Sequence, residues 1–238
     1  MSAFGGGKIP YEGLVLYLDS MNDESYISGS QTWYDLSGYG NNFIMSGSVA
    51  VQYDGQGFYG FSLNTWWNID HDCNYINYFP LGDTDRTLIT VAKTPASFAS
   101  YDHIFIYGGA SSGKAFSSAT YTGGKQINHT WSGAMSGSTI LEANTKYCFA
   151  HTYTSLTGSF WFNTISNPAG VGVGKTAPYT LNTTLTGDSA NARVGLRIYN
   201  PFEPWEGTIY IVMLYNRVLT TEEMDEIYLS IRSRFGLK

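Results

Sequence analysis

Short runs of β-branched and aromatic residues, each closed by Gly, Ser, Asn or Asp, follow one another to about residue 216, and the apolar spacing then changes once, from two to three-and-four. Runs of that kind are strands, and turns at such short intervals fold the chain back antiparallel to itself. The strands must bury sheet faces against each other, as a sandwich or barrel does. Leu14 to Asp19 (LVLYLD) is apolar on both faces and reads as an interior strand. Arg86 to Lys93, His103 to Tyr107, Ala115 to Tyr121, Ser159 to Asn163 and Arg193 to Ile198 read as further strands. Tyr147 to Tyr153 puts Tyr147, Phe149, His151 and Tyr153 on one face and the small Cys148, Ala150 and Thr152 on the other, where a second layer can approach closely. Thr208 to Tyr215 (TIYIVMLY) has the character of a central strand.

The change of period marks a helix. Met224, Ile227, Tyr228, Ile231 and Phe235 form one apolar face. Thr220 with Glu223 is a capping-box pattern, Arg232 and Arg234 suit the negative end of the dipole, and Gly236 suits the C-cap. Such a helix has apolar sheet surface to cover. Nothing repeats at a fixed period, and no linker divides the 238 residues, so residues 1–10 read as a Gly-rich extension and 11–238 as one domain. We expect the extension to be held between neighbouring chains.

Composition narrows the function. Thirteen Lys and Arg against a formal charge of −6, with no basic cluster, argue against nucleic acid. No apolar stretch is long enough to span a membrane, and the start has no charged head followed by an apolar run, so no signal peptide is expected and synthesis in a host cytoplasm is. Aromatics reach 16 %, which serves strand packing and also contact surfaces for sugars and proteins. Cys73 and Cys148 have no metal-ligand spacing and read as two thiols.

The segment Trp33-Tyr34-Asp35-Leu36-Ser37-Gly38-Tyr39-Gly40-Asn41-Asn42 is more specific. With Leu14 to Asp19 before it, it precedes Arg86-Thr87-Leu88, Tyr147 to Tyr153, Phe160 to Asn163 and Leu214-Tyr215-Asn216-Arg217-Val218-Leu219-Thr220 with Glu223. In this order the segments resemble the laminin-G-like branch of the concanavalin A-like lectin/glucanase superfamily, especially the versions found in phage and other viral structural proteins. The resemblance implies an all-β jelly-roll sandwich of two antiparallel sheets with one short C-terminal α-helix. It also implies a virion component, a capsid decoration or a tail or fibre module, whose partners are other virion proteins or copies of itself. Members of the superfamily often bind calcium.

Catalytic relatives on this fold carry a strand-borne E-x-D-x-x-E that places carboxylates across a glycosidic bond. No strand here carries it; Glu222-Glu223-Met224-Asp225-Glu226 has the wrong spacing and lies on the helix. The chain therefore reads as non-catalytic. No cofactor is specified. Asp70-His71-Asp72 offers two carboxylates to Ca²⁺, and Asp19, Asp35 and Asn41 are further donors, yet a hard cation wants six or more oxygens and the sequence assembles no such set.

The candidate ligand surface is Trp66, Trp67, Asp70, Tyr75 and Tyr78. Neighbouring Trp residues on an extended chain face opposite ways, one to the core and one outward. The resulting expectation is a structural or adhesive protein at a virion surface, acting through protein and cell-surface glycan contacts. The alternative is a stand-alone lectin, and behind it a degenerate glycoside hydrolase.

Overall fold

The computed structural model describes residues 8–70, 78–98, 101–109, 113–130, 133–154, 157–162, 183–184, 191–197 and 203–237. Its strands are β1 (Leu14–Asp19), β2 (Thr32–Trp33), β3 (Phe43–Ser46), β4 (Gln52–Tyr53), β5 (Phe58–Tyr59), β6 (Trp66–Ile69), β7 (Arg86–Lys93) and β8 (Asp102–Gly108). They continue with β9 (Ala115–Tyr121), β10 (Lys125–Thr130), β11 (Gly133–Ile140), β12 (Lys146–Thr154), β13 (Thr157–Phe162), β14 (Asn191–Val194) and β15 (Thr208–Tyr215), and α1 (Thr221–Phe235) closes the chain. The expected all-β sandwich with one C-terminal helix is what these elements build.

One sheet runs β13-β12-β7-β15-β5-β4 with β1 also on β15, and the other runs β11-β10-β9-β8-β14-β6-β3-β2. Every pairing is antiparallel. The core lies between them: Leu16, Leu18, Leu88, Phe149, Tyr153, Val212 and Leu214 from the first meet Trp67, Phe105, Phe116 and Val194 from the second. An aromatic knot holds one part of it, with the Phe58 ring 4.6 Å from Trp33, 4.6 Å from Tyr26 and 5.0 Å from Trp67.

The opposite face of the first sheet is covered by α1. Met224, Ile227, Tyr228, Ile231 and Phe235 pack on Tyr17, Ile89, Val91, Cys148, Ala150, Ile211 and Met213. The small side chains of β12 are the ones beneath the helix. Burial pushes the Cys148 thiol up to about 12, so it acts as a small apolar residue. The helix begins with the capping box, Thr220 Oγ accepting from the Glu223 amide and Glu223 accepting from the Thr220 amide, and ends at Gly236 in the left-handed region. Arg217 grips Glu223 through two hydrogen bonds, so Glu223 of this acidic run is engaged at the helix start. Asp19, with no exposure, binds both terminal nitrogens of Arg234 at 2.7 and 2.8 Å and ties the last turn to β1.

β1 differs from the sequence reading. It is fully buried, but among the described residues it pairs with β15 alone and is not flanked by strands on both sides. Its second edge is closed by the segment after it: Asp35 Oδ1 accepts from the Tyr17 amide, the Leu36 amide donates to Tyr17 O, Ser25 Oγ accepts from the Asp19 amide, and Asn41 Nδ2 donates to Val15 O. Asp35 also accepts from Ser37 N, Ser37 Oγ and Asn41 N. Asp19, Asp35 and Asn41, the residues weighed as cation donors, are thus engaged in holding the fold. Glycines make the turn possible, Gly38 and Gly40 lying at φ 91° and 74°.

Arg86 is the other buried charge of note. It has no exposure and spends its donors on Thr84 O, Gly82 O, Tyr107 Oη and Thr183 Oγ1, between the rings of Phe116 and Tyr153. A buried guanidinium saturated with oxygen acceptors is a structural clamp.

Candidate functional site

The ends of β5 and β7, the start of β15 and the turn before β12 enclose an open cleft of about 550 Å³. Its walls carry Asp54, Tyr59, Lys93, Asn144, Glu206 and Thr208. Local structure sets each of them. In β5 the side chains alternate, so Phe58 enters the core and Tyr59 faces out. Asp54 Oδ1 accepts from the amides of Gln56 and Gly57, which fixes the hairpin turn and leaves Oδ2 outside that turn. Asn144 lies in the left-handed region at φ 54°, and its amide donates to Pro95 O. Gly207 forms the floor, where a Cβ would sit 2.0 Å from Lys93 O. One exposed phenol ring among two carboxylates, an amide, an ammonium and a hydroxyl can stack on a sugar ring and bond its hydroxyls.

The cleft residue Glu206 follows a short charged ladder in the chain. Residues 195–197 and 203–205 pair across a short ladder that carries the Arg197–Glu203 ion pair. Asp102, at the start of β8, is 4 % exposed, and its Oδ2 has no partner among the described residues. Burial, and then the charges of Glu206 and Glu203, push its carboxyl up to about 7. Beside it the Tyr101 and Tyr121 rings lie 4.4 Å apart.

The aromatic residues singled out in sequence separate in space. Trp67 is fully buried in the core, while Trp66 is half-buried on the other face of β6. Asn68 shares that face, and Arg193 of β14 pairs with it directly. The Arg193 guanidinium lies 5.3 Å from the centre of the Trp66 ring, and burial alone pulls its pKa down. Asp70 follows the other end of β6, roughly 13 Å from Trp66 along the strand. The Asp70 amide donates to Asn42 O, and the Tyr78 ring lies 4.7 Å from that of Tyr39. Both tyrosines are exposed, and Tyr78 sits at φ 63°. Tyr75, His71 and Asp72 lie outside the described residues, as do residues 1–7 of the expected extension and Cys73. Among the described residues no three His, Cys, Asp or Glu side chains gather in an arrangement that would hold a metal ion. No helix among them is long and apolar enough to cross a membrane.

No family model matches the chain, and no curated protein matches it by sequence. Solved structures do match in fold. Trypanosoma rangeli sialidase, in complex with 2,3-difluorosialic acid, superposes with a TM-score of 0.66 at 18 % identity, over 94 % of this chain and 34 % of that one. The chain thus spans about a third of the length of that sialidase. Domain 4 of AbnA, a GH43 extracellular arabinanase from Geobacillus stearothermophilus, in complex with arabinotriose, matches over 91 % of this chain and 98 % of its own, at 14 % identity and TM-score 0.56. The binding domain of botulinum neurotoxin serotype D matches over 92 % of this chain and 51 % of its own, at 13 % identity and TM-score 0.58. At these identities the likeness is one of fold: a jelly-roll-like β-sandwich.

Proposed function

We propose that this protein is a non-catalytic, adhesive carbohydrate-binding module that holds a glycan in the cleft bearing Tyr59. The observation that carries the reading is the cleft itself, a recess of about 550 Å³ where the outward Tyr59 ring meets the convergent polar side chains of Asp54, Lys93, Asn144 and Glu206. The arabinotriose complex of a domain of nearly the same extent supports it as a precedent for the fold. The laminin-G-like segments support placing the module on a virion surface, as a decoration or fibre component, with the exposed Tyr39–Tyr78 pair and Asp70 as a contact surface for neighbouring proteins.

A hydrolytic reading has one observation in its favour, the raised carboxyl of Asp102 beside Glu203 and Glu206. Asp102 is buried and is not among the residues that line the cleft, which favours binding over catalysis. The test is a glycan array with the purified protein, followed by Tyr59→Ala and Asn144→Ala. Binding that falls at least tenfold in both variants, with unchanged melting temperature and no release of reducing sugar, is the expected result. An array without signal, or one whose hits survive both substitutions, would sink the cleft reading.

A further inference from the structure

The chain carries a formal charge of −6, yet one of its partly buried arginines, Arg193, has neither a carboxylate nor a full set of oxygen acceptors among the described residues. Arg197, Arg217 and Arg234 are each ion-paired, and Arg86 is saturated by oxygen acceptors. Arg193 makes one hydrogen bond among the described residues, from Nη1 to Arg197 O at 3.3 Å. Its Nε is buried without a partner. The edge of the guanidinium formed by Nε and Nη2 therefore has no hydrogen-bond partner among the described residues, and that edge is the one a planar oxyanion meets through two parallel bonds. Leaving a cation this poorly solvated costs free energy that an anion recovers.

Two neighbours share the deficit. Trp66 Nε1 is a buried donor without a partner, and Asn68 Oδ1 is a buried acceptor without one. The Asn68 amide nitrogen is already turned to Ile69 O. Strand register places all three on one face: Arg193 is directly opposite Asn68, and Trp66 is two residues along the same strand. Three buried indoles of the core, those of Trp33, Trp67 and Trp205, also lack partners, but among these described indoles only that of Trp66 has a guanidinium over its ring, with the unpartnered amide oxygen of Asn68 on the same strand face.

We propose that Trp66, Asn68 and Arg193 form a second binding site, selective for a sugar acid. The carboxylate accepts from the Nε and Nη2 edge of Arg193, a further oxygen accepts from Trp66 Nε1, and a ring hydroxyl donates to Asn68 Oδ1. This site is separate from the Tyr59 cleft and does not rest on that reading.

The experiment titrates hexuronate oligosaccharides and a nine-carbon sugar acid, each against its carboxyl-reduced twin, into the whole protein at low and physiological salt. A charge-assisted pair predicts that the acid binds about ten- to a hundredfold tighter than the reduced twin. Arg193→Gln should erase that preference while the melting temperature holds, and Arg193→Lys should restore only part of it, because an ammonium lacks the fork. Tyr59→Ala should leave the preference intact, so a failed cleft and a failed acid site give different patterns. Equal binding of acid and reduced twin overturns the proposal, as does a preference that survives Arg193→Gln. Equal competition by a polyglutamate peptide or by a sulfated neutral oligosaccharide overturns the assignment to sugar acids.

Discussion

Removing Arg234 tests how the helix is held on the sheet. Asp19 has no exposure, and its carboxylate is balanced by the two Arg234 nitrogens at 2.7 and 2.8 Å, the Tyr17 hydroxyl at 2.9 Å and the Met21 amide at 3.0 Å. Arg234→Met deletes the only charge in that set and leaves the carboxylate buried. Breaking a buried pair from one side costs about 3–5 kcal/mol; the Arg234 side chain is 33 % exposed, so water already tempers the pair and the lower end, about 3 kcal/mol, applies. For a chain of this size that is a fall of about 6–12 °C in melting temperature. Asp19→Asn should cost less, about 2 kcal/mol, because Arg234 can turn its exposed side to solvent. The double variant should be milder than the sum by about 1–2 kcal/mol, since the two act on one interaction. Urea unfolding followed by tryptophan fluorescence measures all three, with the slope expected to stay constant. A single Arg234→Met effect below about 1 kcal/mol, or strict additivity in the double variant, would refute the reasoning.

Two further outcomes are expected. Asp102 has its folded-state pKa raised to about 7 from an ordinary value of 3.8, so the native state holds a proton that the unfolded chain releases. The stability that Asp102 contributes is full at acid pH and is lost as pH climbs from about 4 through about 7, by up to about 1.4 kcal/mol per unit, and Asp102→Asn should flatten that part of the slope in a series of chemical melts. Asp35→Ala removes a side chain that accepts from Tyr17 N, Ser37 N, Ser37 Oγ and Asn41 N, and should cost about 3 kcal/mol and speed amide exchange at Tyr17; unchanged exchange there would count against the clasp.

Strong local patterns were readable without the fold. β7, β9 and β15, the helix face and its caps follow from period and end signals over six or more residues. β2, β4 and β5, at two residues each, are too short to show a period, and tertiary pairing defines them. β1 misleads for a physical reason: its apolar faces report burial, and burial here comes partly from a loop that stands in for a strand. The split of Trp66 from Trp67 follows from alternation alone. No local signal joins Arg193 to Trp66, because the β14–β6 pairing spans about half of the chain. The cleft draws on segments near residues 54–60, 93, 144 and 206, and no local signal links them. Proximity in sequence groups Tyr78 with Trp66, but its neighbour is Tyr39, brought there by the turn that precedes β3.

The clasp over β1 has a consequence for solubility. β1 is six apolar-rich residues whose outward amides and carbonyls are matched by side chains and a loop and not by another strand. A strand edge of that composition, once bare, is a template on which other copies can add. Whatever opens the Trp33–Asn42 turn, a nick between Ser37 and Gly40 or a substitution at Asp35, uncovers that template before the sandwich itself comes apart. The first sign of damage in this protein should therefore be association, seen as scattered light in a preparation that still shows its native circular dichroism.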